Sequence, residues 1–97
     1  MTPEGKVKAL VKRELATLPY KYKFMPVQNG MGDPALDFYC CINGFFVVIE
    51  TKKPGGKLTP RQQVTAAEIY AARGRVYVVD GPDSCATMMG ALRRLCQ

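Results

Sequence analysis

Glu50 and Lys52 stand two residues apart where the apolar run Phe45–Ile49 ends. Residues two apart on a strand share a face of the sheet, so this carboxylate and this ammonium point the same way. Asn43-Gly44 lies between the strand-like stretches Leu36–Cys41 and Phe45–Thr51, and it is the strongest short hairpin signal. A two-residue turn there pairs Ile42 with Phe45, and the same register sets Asp37 opposite Glu50. Opposed residues hold their Cβ atoms about 4.5–5.5 Å apart, and opposed like charges destabilise a sheet. A divalent cation between two carboxylates turns that repulsion into attraction. Ligands that are all oxygen suit a hard ion, Mg²⁺ or Mn²⁺ rather than Zn²⁺.

Further residues bear on the same chemistry. Val7, Val11, Glu14 and Leu18 recur at i, i+4, i+7 and i+11, which puts Glu14 inside the apolar stripe of a first helix. An unpaired acid there is costly, so it needs a cation or a base. If the stripe packs on the sheet, Glu14 points toward Asp37 and Glu50. The plainer alternative is that Glu14 pairs with a basic residue at the edge of the core. Thr59-Pro60-Arg61-Gln62 fits a capping box with Gln62 at its third helical position. Gln62 also shares a helix face with Ala66 and Ile69, so capping and lining the site are both open to it. Lys53, Lys57 and Arg61 extend the positive charge beyond Lys52 and can meet a phosphate backbone. An isolated E-x-K is usually an exposed ion pair of little energetic worth. Its coincidence here with two further acids, in a basic chain, favours a site.

These residues need elements to hold them. Thr2-Pro3 starts a helix over residues 3–17, which Pro19 stops. Residues 20–27 alternate basic and apolar side chains and read as an edge strand weakened by Pro26. "NGMGDP" at 29–34 and "KPGGK" are loops. The hairpin follows the first of these. A second helix runs from Thr59-Pro60 to Gly74, then a strand over Arg75–Asp80, then a helix capped by Asp83 or Ser84 and ending near Leu95. The order α-β-β-β-α-β-α predicts an α/β fold, a mixed central sheet flanked by helices. Ninety-seven residues make one domain, 1–97.

Composition narrows the function. The net charge is +6, from 14 basic and 8 acidic residues, which biases the partners toward polyanions, nucleic acid first. There is no histidine, which excludes Ser/His/Asp and Cys/His triads and histidine-ligated zinc. Cys40, Cys41, Cys85 and Cys96 form no C-x-x-C pair and read as reduced, mostly buried small hydrophobes. No apolar run is long enough to span a bilayer, and the N-terminal stretch has no signal-peptide core, so the expected location is the cytoplasm.

Asp37 followed by Glu50-Thr51-Lys52 resembles the D…(D/E)-x-K core of the PD-(D/E)xK nuclease superfamily. The continuation "KPGGKLTPRQ" and the later "RVYVVDG" are similar to the virus-type replication-repair nuclease (VRR-NUC) domain. The resemblance covers roughly residues 30 to 81 and, with the first helix, almost the whole chain. That family usually has proline directly before the aspartate. Here Leu36 precedes Asp37, and Pro34 stands beside Asp33, so Asp33 is an alternative ligand although the hairpin pairing favours Asp37. The resemblance implies a restriction-endonuclease-like fold and a Mg²⁺- or Mn²⁺-dependent deoxyribonuclease. Asp37, Glu50 and the Thr51 carbonyl would hold the metal, Lys52 would orient or activate water, Glu14 would support the metal site and Gln62 would line it. Small viral or bacterial members are implied to act as homodimers on branched DNA, like Holliday junction resolvases. The competing readings are a basic nucleic-acid-binding module without catalysis and an assembly protein.

Overall fold

The computed structural model describes residues 1–28 and 32–97. Of the loop expected at 29–34, residues 29–31 lie outside the described residues. Helix α1 spans Pro3–Leu15. It starts as its sequence predicts, with the Thr2 hydroxyl accepting from the Gly5 N–H at 3.0 Å and proline in the first turn. It ends earlier than the expected residue 17, although Leu18 is still buried beneath it.

Strands β1 (Lys21–Phe24), β2 (Phe38–Ile42), β3 (Phe45–Thr51) and β4 (Arg75–Val79) lie in that order in one sheet. The first two pairings are antiparallel and the last is parallel. Helix α2 (Pro60–Ala71) makes the crossover from β3 to the parallel β4, and α3 (Pro82–Leu95) follows. The expected element order holds throughout. Ile42 pairs with Phe45 and Phe38 with Ile49, the register that a two-residue turn dictates. Asn43 and Gly44 both have positive φ, 48° and 88°, as the type I′ hairpin turn demands.

Some boundaries differ. Strand β1 covers only part of the expected 20–27, because Pro26 lacks the N–H a longer strand needs. Strand β2 begins at Phe38 rather than Leu36. Neither Asp83 nor Ser84 caps α3, whose N-cap is Gly81. The Ser84 hydroxyl instead accepts from the Asp80 N–H at 2.9 Å and lies 2.8 Å from its carboxylate.

The two faces of the sheet are covered unequally. Helices α1 and α3 pack on one face over a core that includes Val11, Leu15, Phe38, Ile49, Met89 and Leu92. Helix α2 covers only part of the other face, where Leu36, Val48, Ala66 and Val76 form a smaller cluster. All four cysteines are free. Cys40 and Cys85 are buried as expected, but Cys41 is exposed, because its strand alternates and it falls on the thinly covered face. Burial pushes the Cys40 thiol up to about 11. No helix among the described residues is long and apolar enough to cross a membrane.

Candidate active site

Asp37 lies one residue before the first ladder pair of β2, where the strand is just beginning. Its N–H donates to Glu50 Oε1 at 3.0 Å. Its carboxylate in turn accepts from Thr51, from the backbone N–H at 3.0 Å and from the hydroxyl at 2.6 Å. Side chains thus take over where the backbone ladder stops, and this exchange locks the end of β3 to the start of β2. Asp37 is 8% exposed, Glu50 4% and Thr51 fully buried. Water therefore screens these charges weakly, and the bonds between them are correspondingly strong.

Lys52 Nζ sits 3.4 Å from Glu50 Oε2, as the shared strand face requires. The turn after it holds the lysine stem. Gly56 lies so close that an added Cβ would stand 3.0 Å from Lys52 Cβ and 3.0 Å from the Lys53 carbonyl. Gly55, at φ +80°, makes the turn possible and donates its N–H to the Asp80 carboxylate at 3.2 Å. The Ser84 hydroxyl and this Gly55 N–H hold the Asp80 carboxyl below its ordinary value.

Gln62 caps α2 and also reaches Glu50. Its Oε1 accepts from the Thr59 N–H at 3.0 Å while the Thr59 hydroxyl accepts from the Gln62 N–H at 3.2 Å, which completes the capping box. Its Nε2 donates to Glu50 Oε2 at 3.0 Å. The cap fixes which end of the amide faces the helix start, so the amino end must face the carboxylate.

Burial pushes the Glu50 carboxyl above its ordinary value, and the negative charge of Asp37 pushes it further, while Lys52 pulls it back. Two buried carboxylates in this state are what a dication relieves. A donor set of Asp37, Glu50 and the Thr51 carbonyl would offer only oxygen, the chemistry that suits Mg²⁺ or Mn²⁺.

Glu14 is not part of this group. Among the described residues no three Asp, Glu, Cys or His side chains come together, and Glu14 instead lies 3.9 Å from Arg93 of α3. Two physical reasons account for the difference. Helix α1 packs on the face opposite to α2, whereas Glu50 and Lys52 serve the α2 side. The buried stripe of α1 is Val7, Val11 and Leu15, and Glu14 lies on one flank of it. Lys8, on the other flank, reaches past the sheet end to Asp37 Oδ1 at 3.5 Å. Nothing in the sequence separates Lys8 from the other basic residues of that helix. The Thr51 hydroxyl also went unassigned from sequence, as did Gln28, whose amide lies 3.4 Å from Asp37 Oδ1.

Asp33 is exposed. It lines, with Gln28, Arg61 and Gln62, a cavity of about 250 Å³ whose walls include neither Asp37 nor Glu50. Arg61 sits on this wall, and Lys53 and Lys57 are exposed on the turn that follows β3.

No family model and no curated protein matches the sequence. Among solved structures, a VRR_NUC domain superposes with a TM-score of 0.79 at 20% identity, covering 93% of this chain and 97% of that one. The shared architecture extends from α1 to α3, and the chain has the restriction-endonuclease-like VRR-NUC fold.

Proposed function

We propose that this chain is a metal-dependent deoxyribonuclease that hydrolyses phosphodiester bonds, selects branched DNA by its shape and acts as a homodimer. The observation that carries the reading is the buried pair Asp37 and Glu50 with Lys52 Nζ 3.4 Å from Glu50. Asp37, Glu50 and the Thr51 carbonyl would hold Mg²⁺ or Mn²⁺, which when bound supplies a Lewis acid that activates water and offsets charge on the phosphate. Lys52 is a compact cation on a flexible stem, able to orient water beside Glu50 and to meet the phosphate. Gln62 keeps Glu50 in place through the start of α2. Lys53, Lys57 and Arg61 hold the DNA backbone. Such contacts position a substrate without reading its sequence, which favours recognition by shape. A two-fold dimer would present two sites to a two-fold junction.

The test is cleavage of labelled four-way-junction, flap and linear DNA in Mg²⁺, Mn²⁺ or EDTA, by wild type, Lys52→Ala and Glu50→Ala. The expected result is metal-dependent cleavage, greatest on the junction and lost in both variants. Activity that survives both substitutions refutes the site. One observation favours the non-catalytic binding module. Among the described residues no buried side-chain nitrogen or oxygen lacks a partner, so the acids are also satisfied as a structural lock. That reading predicts salt-sensitive DNA binding with no turnover in either metal.

A further inference from the structure

The face of the sheet that α2 covers is bare on its far side. The register sets Tyr22 beside Cys41, Cys41 beside Phe46, and Phe24 beside Tyr39, so these side chains share that face. Helix α2 buries Val48 and Val76 at one end of it. At the other end Tyr22 is 67% exposed, Phe24 55% and Phe46 48%. Tyr39 and Phe46 lie with ring centroids 6.0 Å apart and tilted at 44°. Lys21 and Lys23 alternate with the aromatics of β1, so they leave the strand toward the opposite face, and both are exposed at the open edge.

We propose that Tyr22, Phe24 and Phe46 form a stacking platform for the bases of single-stranded DNA that continues from the candidate active site. The inference rests on the nuclease reading for its substrate and goes beyond it in naming a subsite. Three features select this occupant. Exposed aromatic rings on an open sheet whose edge strand carries exposed lysines suit a polyanion that also presents flat apolar faces, which is single-stranded nucleic acid. Tyr22 and Phe24 are two strand residues apart, about 6.6 Å, roughly twice the 3.4 Å step between bases within one strand of a duplex. A base can lay its face on either ring only where its neighbours in the stack do not cover that face, which a single strand allows and a duplex does not. The platform also runs into the site, because Phe24 pairs with Tyr39, two residues from Asp37.

The experiment measures binding of fluorescein-labelled dT20 and of a 20-base-pair duplex in EDTA, where nothing is cut. The proteins are wild type, Tyr22→Leu/Phe24→Leu and Tyr22→Phe/Phe24→Tyr. The leucines keep apolar area but remove the π faces, and these exposed positions leave the core intact. The proposal expects dT20 affinity to fall about tenfold or more in the leucine variant, to be kept in the aromatic swap, and duplex affinity to stay unchanged. The chain has no tryptophan, so stacking on Tyr22 is also read as quenching of tyrosine emission that is reduced in Tyr22→Leu/Phe24→Leu. Equal dT20 affinity in all three proteins overturns the proposal. So does a leucine variant that changes only from dimer to monomer in sedimentation, which assigns the face to a second copy of the chain. Because binding is read without cleavage, its failure is separate from that of the nuclease assay.

Discussion

Replacing Thr51 by valine deletes one hydroxyl from a fully buried position and leaves the shape of the side chain nearly unchanged. That hydroxyl donates to Asp37 Oδ2 at 2.6 Å, in a place where water cannot substitute. A hydrogen bond to a charged group contributes about 1.5–3 kcal/mol. Asp37 Oδ2 would keep the Thr51 backbone N–H, so the loss is confined to that one bond. For 97 residues an unfolding entropy of about 0.2 kcal/mol/K converts this to a fall in Tm of about 7–15 °C. Thr51→Ser keeps the hydroxyl and loses only a methyl, so it should cost about 1 kcal/mol or less. Urea denaturation and calorimetry of both variants in EDTA measure the difference. If Thr51→Val is as stable as Thr51→Ser, the Asp37–Thr51 lock is not what fastens the end of β3.

Three further outcomes test the same geometry. Gln62→Glu preserves an acceptor for the capping box, so a purely local role predicts a harmless change. Its second oxygen would face Glu50 Oε2, and the variant should therefore be less stable than Gln62→Ala in urea at neutral pH, with the order reversing when Mn²⁺ is added. Lys8→Met removes a one-third-exposed ammonium from Asp37. A pair of that exposure is worth about 0.2–1 kcal/mol, so Mn²⁺ affinity followed by electron paramagnetic resonance should rise by up to about fivefold, and a fall would show that Lys8 does not compete for the carboxylate. Glu50 has its folded pKa raised, mainly by burial, so without metal the folded state holds its proton more tightly than the unfolded state. Its contribution to stability is then full below the ordinary glutamate value, about 4.3, and is lost as pH rises through the raised folded value. Glu50→Gln should lack this loss, so the stability of the variant relative to wild type should climb with pH across that window in urea titrations in EDTA.

The hairpin was legible because its signal is local and stereochemical. Asn43-Gly44 tolerates positive φ at both positions, and the turn then fixes every pairing up to Phe38 with Ile49. Glu50 and Lys52 followed from strand alternation alone. Helix starts were legible at Thr2 and Thr59, where a hydroxyl precedes proline. Glu14 was misplaced because a wheel drawn through Val7, Val11 and Leu18 omits Leu15, which is buried and shifts the centre of the stripe away from the acid. Which face of the sheet a helix covers is a tertiary fact, and local periodicity does not encode it. Lys8 was hidden for the same reason, since its role arises only where α1 meets the end of the sheet.

The double bonding of Gln62 has a kinetic consequence. The first turn of a helix opens and closes far more often than its middle, as local fraying that hydrogen exchange can follow. Here the residue that frays is also the one that steadies Glu50. Each opening of the α2 start withdraws the amide from the carboxylate, and each closing restores it. The Asp37 N–H and Lys52 stay on Glu50 throughout, so the exchange rate of the Gln62 N–H is a clock for that one bond to Oε2.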